Sequence, residues 1–471
     1  MNILKLIALL LKKHGEIQIM DHKKSISEIV KRLIIMKFLR SCGGSFYLAV
    51  EHLLTPITER EAIAIIRALL TEADRINISS NEIKEALERA RDAPELQIDI
   101  DDIHSKNKFK LLAFNGEFDA LTGKFRTPAK DSLYLYKLNF NYKEGAKLEE
   151  APSFRNFAET SLGNENLDCA LEWMAYICTS LTEARKAAFF IGPEQCGKSL
   201  LLDVIEDALG PDNTSAVPFS KLGTEQSRIK YQGKIANLSR ETSAEPMRND
   251  DAFKSIIAGD KITGRRLYEN SVEFVCFAKF TTASNHFPVF KHMDSATLDR
   301  IIPIYFKDRV IDEVQTDFHL KEKLLKEKDI IFSVALDKLP RLISSGYQFS
   351  LSDRSKEVLA QKRIELLNVK EFLKDNFEIA PDGVISSVEL YRFYQEWCDA
   401  NGISSEGRNT FYSKVTDYSS SIKRGKNNIG GRLLNSFKGL KLWCNNSEKK
   451  YVHSYQDSQT STQPQKGGKA K

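Results

Sequence analysis

The sequence predicts an α/β protein: a strand-and-helix core, a helical N-terminal domain, a small collar between the two, and a C-terminal module of helices and strands. Three observations predict it. The apolar run Ala187–Ile191 (AAFFI) leads into Gly192-Pro-Glu-Gln-Cys-Gly-Lys-Ser199, and a helical pattern, Ser199–Leu209, follows until Gly210-Pro211 stops it. Residues 186–310 continue to alternate strand and helix patterns, as an α/β sheet requires. The C-terminal end then changes composition: residues 406–471 hold 13 Lys/Arg against 4 Asp/Glu.

The loop fits the phosphate-binding pattern GxxxxGK[ST]. Gly192 and Gly197 let backbone N–H groups close around phosphates, with Pro193, Glu194, Gln195 and Cys196 between them. Lys198 is placed to reach the β- and γ-phosphates, the Ser199 hydroxyl to ligate Mg²⁺, and Leu200 to open the helix. ATP with Mg²⁺ is therefore the expected ligand pair.

Length and composition narrow the class. A chain of 471 residues has room for two to four domains, and its 42% hydrophobic and 28% charged residues are ordinary for a soluble globular protein. The seven cysteines (42, 169, 178, 196, 276, 398, 444) are scattered and lack CxxC pairs, which argues against a disulfide framework or a zinc site and for a reducing, cytoplasmic setting. Cys196 reads as a loop residue rather than a redox switch. The apolar start Ile3–Leu11 is short, broken by Lys5, and ends in Lys12-Lys13, so an amphipathic first helix is expected and no membrane association. Net charge is +5, but residues 406–471 alone carry +9 and leave about −4 elsewhere. Such a basic end suits a polyanion. Its last stretch, Ser454–Lys471, has no apolar periodicity and is expected to be disordered.

Before the loop, residues 1–105 read as mostly helical. Glu59–Ala73 repeats apolar residues at spacings of three and four, Ser79–Arg91 opens with a capping signal (SSNE), and Gly43–Glu51 reads as a strand. Residues 106–180 change character: LLAFNGEFDALTGKF has turns at Asn115-Gly116 and Thr122-Gly123, the pattern of a small β-meander, and Leu167–Leu181 reads as a helix.

After the loop, Lys234–Leu238 is a second strand, followed by Glu241, a candidate to hold the Mg²⁺ water shell or polarise water; Glu245 is the alternative. Lys279–Ser284 is a third strand. It ends at Asn285, an amide able to orient a water against a terminal phosphate. Arg300 precedes a further strand, Ile301–Phe306, and could neutralise charge on a phosphate, including one held by a neighbouring subunit. Between the second and third strands, Ala258–Ser271 followed by VEFVCF reads as a hairpin, with Glu269-Asn270 near its turn, carrying Lys261, Arg265, Arg266 and Tyr268. Cations beside an aromatic suit a single-stranded nucleic-acid backbone.

GPEQCGKS, SRET, AGDKITGRRLYENSVEF, FTTASNHFP and ATLDRIIPIYF, in this order, resemble the core of the superfamily 3 helicases, and within it the phage, plasmid and poxvirus primase-helicase branch. LLAFNGEFDALTGKF and LEWMAYICT upstream look like the collar of that branch, and VKEFLKDNF, VELYRFYQEWCDANG and TFYSKV downstream are similar to its winged-helix module. The resemblance spans residues 106–443. It implies an AAA-type P-loop NTPase core at 181–365 after a collar at 106–180, a winged-helix module at 366–453 and a tail at 454–471. It further implies Glu241 as the acidic metal and water residue, Asn285 as the sensor, Arg300 as the arginine finger, and Lys261, Arg265, Arg266 and Tyr268 on a channel hairpin. The chain departs from the pattern in having Asp299 where relatives often carry a first arginine, and few acids around Glu241 and Glu245. The N-terminal 105 residues hold no paired-carboxylate or zinc motif for primase chemistry. The expected protein is an ATP-dependent DNA helicase for replication of a phage, plasmid or integrated element, a hexameric ring threading single-stranded DNA, with a separate primase or polymerase as a partner. Duplex DNA would meet Lys414 on a recognition helix over 406–418, and Lys423, Arg424, Lys426 and Arg432 on a wing over 422–443. Two other readings use the same loop: a nucleotide-switched replication initiator that binds DNA without processive unwinding, and a small-molecule kinase, for which the hairpin and basic end would be idle.

Overall fold

The computed structural model describes residues 3–240, 250–266, 270–290, 293–307 and 317–443. The chain forms two compact units, residues 1–359 and 360–471.

In the first unit, α1 (Ile3–His14) and α2 (Ser25–Met36) precede an antiparallel meander of β1 (Leu39–Cys42), β2 (Ser45–Val50) and β3 (Leu53–Ile57). The single strand expected over Gly43–Glu51 is thus the middle of three. Gly43-Gly44 turn the chain into it, and Glu51-His52, at φ 47° and 71°, turn it out again. Next come α3 (Glu59–Leu69), α4 (Glu72–Asn77) and α5 (Ser80–Arg91). Thr58 and Ser79 cap α3 and α5 by accepting from the N–H groups of Glu61 and Glu82, whose carboxylates return the bond. Ile65, Ile66, Ile83 and Leu87 on these helices join Ile29, Leu33 and Phe46 in one buried core.

After α6 (Ile100–Lys106), the expected small meander is β4 (Lys110–Leu112), β5 (Glu117–Asp119) and β6 (Phe125–Arg126). Then α7 (Pro152–Phe157) leads to α8 (Asn164–Ile177) through a widened turn, in which the Gly163 N–H reaches back five residues to Ala158 O at 2.8 Å. Trp173, Met174 and Ile177 of α8 lie fully buried in the central core.

The central sheet takes its strands in the chain order β7 (Ala187–Ile191), α9 (Lys198–Leu209), β8 (Thr214–Ser215), α10 (Glu225–Arg228), β9 (Ala236–Ser239), α11 (Asp250–Ala258), β10 (Lys261–Gly264), β11 (Val272–Val275), β12 (Lys279–Ser284), α12 (Ser295–Leu298) and β13 (Ile301–Tyr305). Five of these strands are parallel, in the order β13-β7-β12-β9-β8; β10 and β11 form a separate antiparallel pair. Every residue of β7, β12 and β13 is buried, as expected of strands covered on both faces. Helix α13 (Leu320–Leu336) packs against α7, α8 and α9, and α14 (Leu339–Ser344) against α8. The order matters for the site: β12 and β13 flank β7, so the carboxyl ends of all three open beside the loop that follows β7.

Helix α15 (Asp353–Asn376) carries the chain into the second unit. There it is followed by β14 (Phe377–Ser386), α16 (Ser387–Ala400), α17 (Arg408–Tyr418), β15 (Lys423–Ile429) and β16 (Arg432–Leu442), the strands pairing antiparallel in the order β14-β16-β15. The core is aromatic: Phe372, Tyr394, Phe411 and Phe437 are buried, and the Tyr394 and Phe411 rings stack at 4.3 Å. β14 escaped the sequence reading because Pro381-Asp-Gly383 looks like a turn. The structure accommodates it as an irregularity between Ile379 and Val384. Among the described residues, no helix is long and apolar enough to cross a membrane.

Candidate nucleotide and nucleic-acid site

The loop after β7 is shaped by two glycines. Gly197 lies at φ 100°, and a Cβ there would meet Phe157 Cε2 at 2.6 Å. A Cβ on Gly192 would meet Phe306 Cβ at 2.9 Å and Cys196 Sγ at 3.0 Å. The loop is therefore seated between α7, the end of β13 and its own buried Cys196. That contact gives Cys196 a packing role. Pro193, Glu194 and Gln195 are exposed, and Ser199 is exposed on the first turn of α9, where unpaired N–H groups favour an anion. Leu200 is half-buried behind it.

Lys198 is buried and folded onto its own loop. Its Nζ donates to Gly192 O at 2.6 Å, to Pro193 O, and to Asn285 Oδ1 at 3.1 Å. The lysine and the amide expected to share a phosphate site are thus brought together across 87 residues of sequence. Asn285 is aimed by its neighbours: Ser284 closes the β12 ladder opposite Ile191, its carbonyl accepts from the Gly192 N–H at 3.2 Å, and its hydroxyl accepts from the His286 N–H at 3.2 Å.

At the end of β9, Arg240 grips α9. It donates to Asp203 Oδ1 from Nε at 3.1 Å and from Nη2 at 2.7 Å, and also to Glu206. Those acids hold the arginine charged, and Arg240 with Lys321 holds the Asp203 carboxyl below its usual range. This clamp fixes the backbone just before Glu241. Glu241, Glu245 and Tyr268 themselves lie outside the described residues. Sequence reading passed over Arg240 because the partner acids lie on α9, more than 30 residues upstream.

Arg300 stands at the other end of the sheet. It precedes β13, its carbonyl accepts from the Ala187 N–H that begins β7, and the loop leaves the far end of β7. Five residues of strand separate the two ends, roughly 16 Å, so Arg300 does not share a site with Lys198 of its own chain. Its Nη1 donates to Ala296 O at 2.6 Å, while its buried Nε has no hydrogen-bond partner among the described residues.

On the hairpin, Lys261 in β10 makes an ion pair with Glu273 in β11 at 3.6 Å; Arg265 and Arg266 lie just past β10 and are exposed. The Arg265 backbone N–H donates to Glu225 O at 3.3 Å, tying the hairpin to α10. In the second unit, Lys414 on α17 pairs with Glu406, and Arg424 on β15 lies over the Tyr412 and Phe437 rings at 4.4 and 5.9 Å. Lys423, Lys426 and Arg432 are exposed on β15 and β16.

A further buried cation went unread in the sequence. Lys279 opens β12 and is 3% exposed, with Nζ donating to Thr179 O and to Phe277 O at 3.0 Å. Burial lowers its pKa to about 7, outweighing the opposite pull of Cys178, Cys276 and Glu183. A lysine inside an otherwise ordinary strand pattern (KFTTAS) gives no local signal of this.

Comparison with known proteins agrees with parts of this picture. Residues 37–163 match the family model described as D5 N terminal like, and residues 190–300 match a family of unknown function, DUF5906. No curated protein matches the chain significantly. Among solved structures, the apo NrS-1 C-terminal region (305–718) aligns at a TM-score of 0.51 and 13% identity, covering 87% of this chain and 98% of that one. An A-form apo structure of the same region aligns over the same shares at 0.49 and 12%. At such identity the first is a likeness of fold alone.

Proposed function

We propose that this chain is an ATP-hydrolysing DNA translocase, the helicase motor of a phage, plasmid or integrated-element replication system, and that it works as a hexameric ring around single-stranded DNA. The observation that carries the reading is the contact between Lys198 and Asn285. It joins a phosphate loop to the tip of the strand beside it, at the carboxyl edge of a parallel sheet. The family matches support the setting: residues 37–163 cover most of the region that sequence resemblance assigns to the collar, and residues 190–300 run from the loop to Arg300.

In this reading ATP lies over the loop N–H groups. Lys198 would move from its own carbonyls to the β- and γ-phosphates, Ser199 and Glu241 would hold Mg²⁺, and Asn285 would orient the attacking water. Bound Mg²⁺ supplies charge neutralisation at the phosphates. Arg300 serves the loop of the adjacent subunit, because it is too far from its own. Lys261, Arg265, Arg266 and Tyr268 face the threaded strand, and the second unit acts as a winged helix that touches duplex through Lys414, Lys423, Arg424, Lys426 and Arg432.

The test is ATPase activity with and without single-stranded DNA, alongside unwinding of a forked duplex. The reading expects stimulation by DNA and strand separation, both lost in Lys198→Ala. Turnover indifferent to DNA would point to a kinase-like enzyme, and nucleotide-dependent DNA binding without unwinding to an initiator switch.

A further inference from the structure

The outer half of the β15–β16 ribbon is bare. β14 pairs with β16 only as far out as Ser436, so Lys426–Ile429 and Arg432–Asn435 pair only with each other. Gly430 and Gly431, at φ 58° and 82°, close the ribbon as a two-residue turn with positive φ at both positions. Directly paired residues share a face. Asn428 and Leu433 lie on one, and Asn427 with Leu434 and Ile429 with Arg432 on the other. Leu433 is 68% exposed and Leu434 40%. The tip therefore presents Leu433 on one face of a thin blade and Leu434 on the other, where the less exposed Ile429 joins it, with Arg432 and Lys426 beside them and Lys423 and Arg424 at its root.

Phosphate contacts account for the cations but not for the leucines. A partner with an anionic rim and an apolar interior accounts for both, and a base pair between two phosphate backbones has that chemistry. We infer that the tip is a wedge, pressing Leu433 and Leu434 against the last base pair of a DNA duplex where its strands part, while the neighbouring cations hold the flanking phosphates. Entering an internal step would require unstacking, at a cost comparable to the gain from burying two leucines; a junction already offers an open base-pair face. The inference rests on the reading of the second unit as a duplex-binding module.

The experiment uses the full chain and a forked duplex with 2-aminopurine in the junction base pair, beside controls with the probe well inside the duplex and with a blunt duplex. The expected result is a fluorescence rise at the junction only. Leu433→Ser with Leu434→Ser should abolish it and reduce the fork-over-blunt preference about tenfold, with the salt dependence of binding unchanged. The Met pair at the same positions should restore the signal, which separates apolar contact from a folding defect. An unchanged signal and preference in the Ser pair overturns the wedge alone, and an equal response from the internal probe overturns its placement at the junction. If Lys423→Glu, Lys426→Glu and Arg432→Glu together leave duplex affinity and its salt slope untouched, the duplex-binding reading itself fails.

Discussion

At the scale of single residues, the site turns on Lys198, and β12, the strand that leads to Asn285, opens on the buried Lys279. Lys198 Nζ has three oxygen acceptors, which the phosphate of the proposed nucleotide would have to replace. Lys198→Ala should therefore remove turnover, measured as phosphate release, by at least the hundredfold that loss of a positioned charge costs. Gly197→Ala should do similar harm through shape, because its Cβ would meet Phe157 and its φ is left-handed. Thermal melts of that variant should show a loss of about 1–2 kcal/mol. Lys279 makes a different prediction. Its folded pKa is about 7 against an ordinary 10.5, so between those values the unfolded chain binds the extra proton. Stability should then rise with pH across that window, by at most about 1.4 kcal/mol per unit, and be lowest below it. Urea midpoints followed across the window should show this rise in the native chain and a flatter line in Lys279→Met; a native midpoint that falls with pH would contradict it.

At the scale of elements, the sequence revealed most where local pattern and fold agree. β7, β12 and α9 were legible almost to the residue: β7 is an uninterrupted apolar run, β12 is short and rich in β-branched Thr before the Asn285-His-Phe-Pro turn, and Gly210-Pro211 stops α9. β1 and β3 were not: LRSC and LLTPI are short and carry no clean alternation, and only pairing with β2 makes them strands. β14 hid behind Pro381-Asp-Gly383, and the Arg240 clamp behind its distance in sequence from α9. The same logic limits the hairpin. Lys261 pairs with Glu273, and Arg265 and Arg266 are exposed beside a backbone anchored to Glu225. Arg265→Ala with Arg266→Ala should leave basal ATPase within about twofold, since exposed substitutions perturb folding little, yet remove stimulation by single-stranded DNA. Equal loss of both activities would make them part of the nucleotide interface.

At the scale of the whole molecule, the proposed ATPase site would be incomplete in one copy, because Arg300 lies at the far end of the sheet from the loop. Strand β13 runs parallel to β7, so the residue before one and the loop after the other lie at opposite edges of the sheet. Arg300→Ala protein and Lys198→Ala protein should each be inactive alone and partly active when mixed, because a hybrid interface can pair an intact loop with an intact arginine. Hybrid rings, shown to form by mass measurement, that hydrolyse no ATP at any mixing ratio would refute a role in trans.

The folded-back Lys198 has a consequence for affinity. If the loop binds nucleotide as proposed, the carbonyls of Gly192 and Pro193 and the Asn285 oxygen act as a tethered competitor, always present at the same local concentration, which incoming phosphate must outcompete. The apparent dissociation constant for nucleotide would then be the intrinsic one divided by the fraction of loops whose lysine is free. Weakening the competitor should tighten the grip on nucleotide even as it slows the chemistry. Asn285→Ala should bind a non-hydrolysable ATP analogue more tightly than the native chain, and turn over ATP more slowly.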